Sequence, residues 1–390
     1  MFRIGQEEID EVAKVIRAGK LFRINDGLKE TATFEREIAE KVGVRYALCV
    51  TGGTAALTCA LAGLGIGPGD EVIVPAYTFM ATALAVTSVG AIPVLAEIDE
   101  TMTIDLNDVE RKLTPNVRAV IPVDMVGFPC DMERLMAMSR RHGFFVVEDA
   151  CQADGGSFRG KRLGSWGHAG AYSFNDFKII TAGEGGAVLT DDRRVYERAL
   201  IYHDGGTTFW GPKDLHEPPF MGTQYRVSEI TGAILRVQLR RLDGILADLR
   251  RVKKALAGAL SGVPDIVLAP SHDPEGDCAT TLAFTFAEEG KARAFAASEG
   301  VNGWLPIDSG RHVYTNWTPL LSRQGAHHPA YNPYNLPQNR ELRSHYSADM
   351  CPQTLDVLSR TVYISLHPDW DEQKIQSLAQ SCRKAAETLR

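Results

Sequence analysis

Between residues 51 and 191 the chain alternates short apolar runs with helix-like stretches, and no other feature restricts its fold as much. The runs are EVIVP, IPVLAEI, RAVIPV, FFVVED, AGAYSF and GGAVLT. Continuous apolar segments of this length suit strands buried on both faces. With helical segments between most of them, they predict an α/β fold: an open, mostly parallel sheet covered by helices on both sides. A chain of 390 residues, 44% hydrophobic, can bury a large core and is expected to form two lobes. From residue 228 to 260 a helical pattern follows, with apolar positions at Ile230, Ile234, Val237, Leu242, Ile245, Leu249, Val252 and Leu256. Ser228 is its expected cap. Gly244 is a place where it could bend, since glycine costs roughly 1 kcal/mol against alanine inside a helix. This helix is expected to close a large lobe, residues 1–260, and lead into a smaller α/β lobe, residues 261–390.

In sheets of this kind ligands bind beyond the carboxyl ends of the strands, and the chemistry-bearing residues fall there. AYSFNDFKIITAGEGGAV (residues 171–188) holds one lysine, Lys178, between a strand end and a turn built on Gly183, Gly185 and Gly186. Its amine can attack a carbonyl, and the Ser173 hydroxyl five residues earlier can reach a phosphate. Together they suggest the Schiff base of pyridoxal phosphate. The run FFVVED ends in Asp149, placed to keep a pyridine nitrogen protonated, and Gln152 can donate to the ring's phenolic oxygen. Asp149 could equally cap a helix. In VTGGTAAL, Gly52 and Gly53 let the backbone approach an anion, and the helix beginning at Thr54 attracts phosphate. Phe79, after EVIVP, can stack on a flat ring.

These segments, in this order, resemble the DegT/DnrJ/StrS sugar aminotransferases, fold-type-I enzymes dependent on pyridoxal 5'-phosphate that make amino sugars and aminocyclitols. The resemblance implies Lys178 as the Schiff-base lysine, Ser173 as a phosphate ligand and Asp149 with Gln152 as the ring-binding pair. It further implies Gly53 and Thr54 in the phosphate turn and Phe79 as the stacking aromatic. GTQYRVSEITGAILRVQL (residues 222–239) resembles a segment reaching into a neighbouring subunit's site. That implies a homodimer with shared sites, in which Gln224 and Arg226 approach the partner's phosphate. Gln224 stands where the family usually has Asn. Asp124 stands where many members have His, which bears on substrate contacts or on hydrogen bonding near the serine. Lys178 sets the chain apart from the branch that has His there and dehydrates its substrate. DPEGD (residues 273–277) and CPQTLDVLSRTVYISL (residues 351–366) look most like the branch acting on 8-oxo-3-deoxyoctulosonate, while residues 234–249 look as much like the inosose branch.

The expected activity is therefore amino transfer from glutamate or glutamine to a keto or aldehyde sugar or an inosose, with those small molecules as partners. The alternatives are a dehydratase or epimerase using the same cofactor, and a non-catalytic cofactor-binding protein. A net charge of −7 without a basic block argues against nucleic acid or an anionic membrane as partner. No apolar run approaches the roughly 20 residues that span a bilayer, and MFRIGQEEIDE does not read as a signal peptide. Seven scattered cysteines without metal spacing suggest reduced thiols and a cytoplasmic enzyme; Cys151, beside the expected site, fills space. Residues 300–317 and 325–339, rich in aromatic, Asn, His and Pro residues, suit loops that bind a hydroxylated ligand.

Overall fold

The computed structural model describes residues 3–24 and 27–389; Met1 and Phe2 of the N-terminal stretch read above lie outside them. Twelve strands are described: β1 (Tyr46–Val50), β2 (Glu71–Pro75), β3 (Ile92–Ala96), β4 (Val117–Val120), β5 (Phe145–Asp149), β6 (Ser157–Phe158), β7 (Lys161–Arg162), β8 (Ala169–Ser173), β9 (Gly186–Thr190), β10 (Val267–Leu268), β11 (Thr281–Thr285) and β12 (Thr361–Ser365). Seven of them form the central sheet, in the order β1-β9-β8-β5-β4-β2-β3. All pairings from β8 to β3 are parallel, whereas β9 runs antiparallel to both β8 and β1. Apolar clusters fill both faces of this sheet, as strands buried on two sides require.

All six expected strands are present, with two additions to the picture. β1 lies before the expected alternation: five residues without periodicity, three after a helix, cannot be told from a helix continuation by pattern alone. β9 runs antiparallel: residues 174–185, which join it to β8, contain no helix to carry the chain back across a face of the sheet. The chain therefore turns straight back, and Lys178 sits in that return loop.

Helix Glu229–Leu260 runs unbroken for 32 residues, with the Ser228 hydroxyl accepting from the Thr231 amide at its start. Gly244 does not interrupt it. Ile230 and Ile234 are only half-buried, and Leu235, Leu239 and Leu246 take the core side in their place. Its first turn also organises the helix Glu30–Val42, which lacks a capping side chain of its own. The Glu229 carboxylate accepts from the Glu30 amide at 2.6 Å and the Thr31 amide at 3.3 Å, satisfying two otherwise orphaned donors. After Leu260 come the antiparallel sheet β10-β11-β12 and its helices, including Glu372–Glu387, which packs on the long helix. No helix among the described residues is long and apolar enough to cross a membrane.

Two glycines of the long helix predict opposite outcomes. A Cβ at Gly232 would lie 2.4 Å from the Thr31 nitrogen and 2.6 Å from its Cα, against backbone that cannot step aside. A Cβ at Gly244 would meet nothing within 4 Å. Gly244→Ala is expected to stabilise by up to about 1 kcal/mol. Gly232→Ala gains the same propensity but loses roughly 1–3 kcal/mol to overpacking, so it should lower the melting temperature. Thermal unfolding of both variants checks the sign.

Candidate active site

The carboxyl ends of β5 and β8, the start of helix Gly53–Leu64 and the turn after β2 enclose a cavity of about 610 Å³. Gly53, Thr54, Phe79, Asp149, Gln152, Ser173 and Lys178 all line it, so seven of the eight expected site residues converge from five separate segments. Gln224 does not. It is exposed, and its backbone pairs with Asp204 away from the cavity of its own chain.

The helix start reaches the strand ends because Gly53 has no side chain. A Cβ there would lie 2.8 Å from Cys151 Sγ and 2.9 Å from Ser173 Cβ. As the first amides of a helix, those of Gly53, Thr54 and Ala55 have no intrahelical acceptor, and with the helix dipole they favour an anion. Asp149, almost fully buried, is held in place: one oxygen accepts from the Thr82 hydroxyl at 2.8 Å, the other from the Cys151 amide at 3.2 Å. The Gln152 carbonyl oxygen accepts from the Val126 amide at 3.2 Å, which fixes the direction of its NH₂ group. Val126 makes this bond from φ 47°, a left-handed conformation rare for a β-branched residue, while its own carbonyl accepts from the Thr280 hydroxyl. Lys178 has no ion-pair partner among the described residues. Phe79 is 43% exposed and lies 5.8 Å, ring to ring, from His312. Burial, then the charges of Arg311 and Lys178, hold His312 down to about 4, so its imidazole is neutral at physiological pH. Burial, then the Asp149 charge, raises the Cys151 thiol, which stays protonated.

Thr82, Val126, Trp304, Arg311 and His312 were not singled out from the sequence. Thr82 was findable as a hydroxyl three residues after Phe79 at a helix start; the backbone strain at Val126 leaves no signal. Of the two loops suited to a hydroxylated ligand, residues 300–317 supply Trp304, Arg311 and His312 to the cavity, whereas no residue of 325–339 lines it. There Asn332 and Asn339 bond to nearby backbone instead. Arg226 pairs with Asp204 of its own chain and lies over the rings of Phe22 and Trp210. Burial alone would raise the Asp204 carboxyl, but the Trp210 indole, the Gly206 amide and Arg226 hold it below the ordinary range. Asp124 is fully buried behind Asp149, accepting from the Cys130 amide at 2.9 Å, and does not line the cavity.

An anion-binding helix start, a fixed carboxylate and an unpaired lysine at the strand ends suit pyridoxal phosphate, whose phosphate, pyridine nitrogen and aldehyde need one of each. Fold and site together define the class: a fold-type-I, pyridoxal phosphate-dependent aminotransferase. The chain belongs to the DegT/DnrJ/EryC1/StrS aminotransferase family, whose model matches residues 3–298. It is 32% identical to the spore coat polysaccharide biosynthesis protein SpsC of Bacillus subtilis, over 97% of this chain and 94% of that one. It is 39% identical to the GDP-perosamine synthase of Caulobacter vibrioides, over 61% of this chain and 66% of the relative. Among solved structures, 3-amino-5-hydroxybenzoic acid synthase superposes with a TM-score of 0.78 at 27% identity, covering 100% of this chain and 99% of that one. DesV of S. venezuelae gives 0.74 at 28%, covering 98% and 94%.

The carboxyls behind Asp149 predict a pH dependence. Burial, then the Glu148 charge, pushes Asp124 well above the ordinary carboxylate range, and burial raises Glu148 to about 7. A group raised in the folded state contributes its full stability below its unfolded value, near 4. That contribution is lost as pH rises through the folded value. Asp124→Asn removes the titrating proton, so its stability should fall less steeply than that of the wild type between pH 5 and 8. Melting curves across that range check it; an unchanged slope contradicts it.

Proposed function

We propose that the protein transfers an amino group from glutamate or glutamine to a keto or aldehyde carbon of a sugar or cyclitol. The candidate acceptors are an 8-oxo-3-deoxyoctulosonate, a nucleotide-linked ketosugar and an inosose. One observation carries the reading: Lys178, unpaired among the described residues, shares a single cavity with Asp149, Gln152, Ser173 and the Gly53–Thr54 turn. Two relatives support it, the GDP-perosamine synthase of Caulobacter vibrioides and the dTDP-3-amino-3,4,6-trideoxy-alpha-D-glucose transaminase of Streptomyces venezuelae.

Pyridoxal phosphate, when bound, supplies the electron sink and carries the amino group from donor to acceptor. Lys178 would hold it and, once displaced by the donor, would use its freed amine as the base that takes the proton from the donor's α carbon. Asp149, fixed by Thr82 and the Cys151 amide, would present its carboxylate to the pyridine nitrogen and keep that nitrogen protonated. Gly53, Thr54 and Ser173 would receive the phosphate, Gln152 the phenolic oxygen, and Phe79 the ring face. A second copy of the chain is expected to complete the site with Gln224. Support comes from apolar side chains left in the open near these segments: Phe177 is 78% exposed, Phe209 78% and Met221 95%.

Two outcomes test this reading. In single-turnover assays the wild-type holoenzyme should release one equivalent of 2-oxoglutarate per cofactor from glutamate. Lys178→Ala should lower the rate by at least a thousandfold while remaining folded by circular dichroism. A dehydratase or epimerase would form product without oxoacid. For the shared site, inactive Lys178→Ala chains are exchanged with inactive Gln224→Ala chains. Random mixing should restore about a quarter of full activity, because each heterodimer regains one intact site. No recovery despite demonstrated exchange means each chain builds its own site.

A further inference from the structure

The cavity contains a cation that amino transfer, as proposed above, leaves without a task. Arg311 lines the same space as Lys178, and its guanidinium has no hydrogen-bond or ion-pair partner among the described residues. Elsewhere in the chain, arginines that approach a carboxylate use it: Arg23 meets Glu35, Arg236 meets Glu30 and Glu37, and Arg343 meets Glu71. The two acids that line this cavity are otherwise engaged. Asp149 is tied to Thr82 and the Cys151 amide, and Glu184 accepts from the Asn175 amide at 3.3 Å.

The backbone that carries Arg311 is anchored on both sides. Its carbonyl accepts from the Trp317 indole at 3.0 Å, the His312 carbonyl accepts from the Thr78 amide at 2.9 Å, and Tyr77 bridges Val313. Residues 311–313 are thus held against the turn that presents Phe79, so Arg311 is presented from a fixed support. His312 feels the charge of both Arg311 and Lys178 and stays neutral, able to donate one hydrogen bond without adding charge. An open guanidinium fork beside a neutral imidazole suits the planar, bidentate geometry of a carboxylate.

We propose that Arg311, assisted by His312, binds a substrate carboxylate and so selects the acids that enter the cavity. This rests on the aminotransferase reading, in which both substrates meet Lys178 in turn. The carboxylate has two possible sources: the amino-acid donor, whose α-carboxylate is attached to the carbon that loses its amine, or a sugar acid as acceptor. Either would bring a carboxylate into the cavity that Arg311 and Lys178 both line, where an open guanidinium can receive it.

Binding to the holoenzyme, measured by calorimetry with unreactive probes, separates the cases. Glutarate stands for the donor, gluconate for an acidic sugar, and glucitol for a neutral sugar of the same length. Arg311→Gln should weaken an acid roughly tenfold or more, the usual loss for a charged hydrogen-bonded pair. Arg311→Lys, which keeps the charge but not the fork, should lose less, and cofactor stoichiometry should stay at one per chain in both variants. A loss on glutarate alone assigns Arg311 to the donor, and a loss on gluconate alone assigns it to an acidic acceptor. Losses under twofold on both acids overturn the proposal, as does a loss of equal size on glucitol. If the wild-type enzyme deaminates neither glutamate nor glutamine, the aminotransferase reading falls, while the comparison of probes still decides the role of Arg311.

Discussion

Two stretches of backbone meet at the head of this sheet with no room for a side chain between them, and the cavity depends on that contact. Gly53 sits against Cys151 and Ser173, and a Cβ on Gly186, at the start of β9, would lie 2.5 Å from the backbone of Gly52. The contact brings the free amides of a helix start within reach of the ends of β5 and β8. Any larger residue at Gly53 would push the helix away from Ser173 and leave the anion site without one wall. Lys178 reaches the same space because β9 returns antiparallel, so the chain never leaves the carboxyl edge of the sheet between Ser173 and Gly186.

Around this contact the protein keeps its charges few and fixed. Asp149 is held by a hydroxyl and an amide. Behind it, burial and then the Glu148 charge push Asp124 well above the ordinary carboxylate range, which favours its proton and limits competing negative charge close to the site. Val126, in a left-handed conformation, ties Gln152 on one side to Thr280 on the other, joining the end of β5 to the segment leading into β11. Strain at such a residue persists only where its surroundings overdetermine it, and here both of its polar groups are bonded to side chains that line the cavity.

The sheet, the long helix and the strand-end residues were legible because each leaves a local trace: an apolar run, a serine at a helix start, a glycine pair, a lysine among glycines. β1 was not, since a five-residue strand paired only with an antiparallel neighbour has no periodicity of its own. The role of Thr82 depends on the distance between two strand ends far apart in sequence. Val126 required backbone angles. Arg311 and His312 lay in a segment whose composition suggested a ligand, but only the pairing of residues 311–313 with the turn after β2 brings those two side chains to the cavity. Asp124 was legible as a departure from the family, and its burial places it behind Asp149, outside the lining of the cavity.

The central claim is that this cavity holds pyridoxal phosphate on Lys178. The most direct measurement is to load the purified protein with the cofactor, reduce it with borohydride, digest it and locate the added mass by tandem mass spectrometry. The account predicts one phosphopyridoxyl group per chain, on the peptide containing Lys178. A label spread over surface lysines, or concentrated on any other residue, would contradict it.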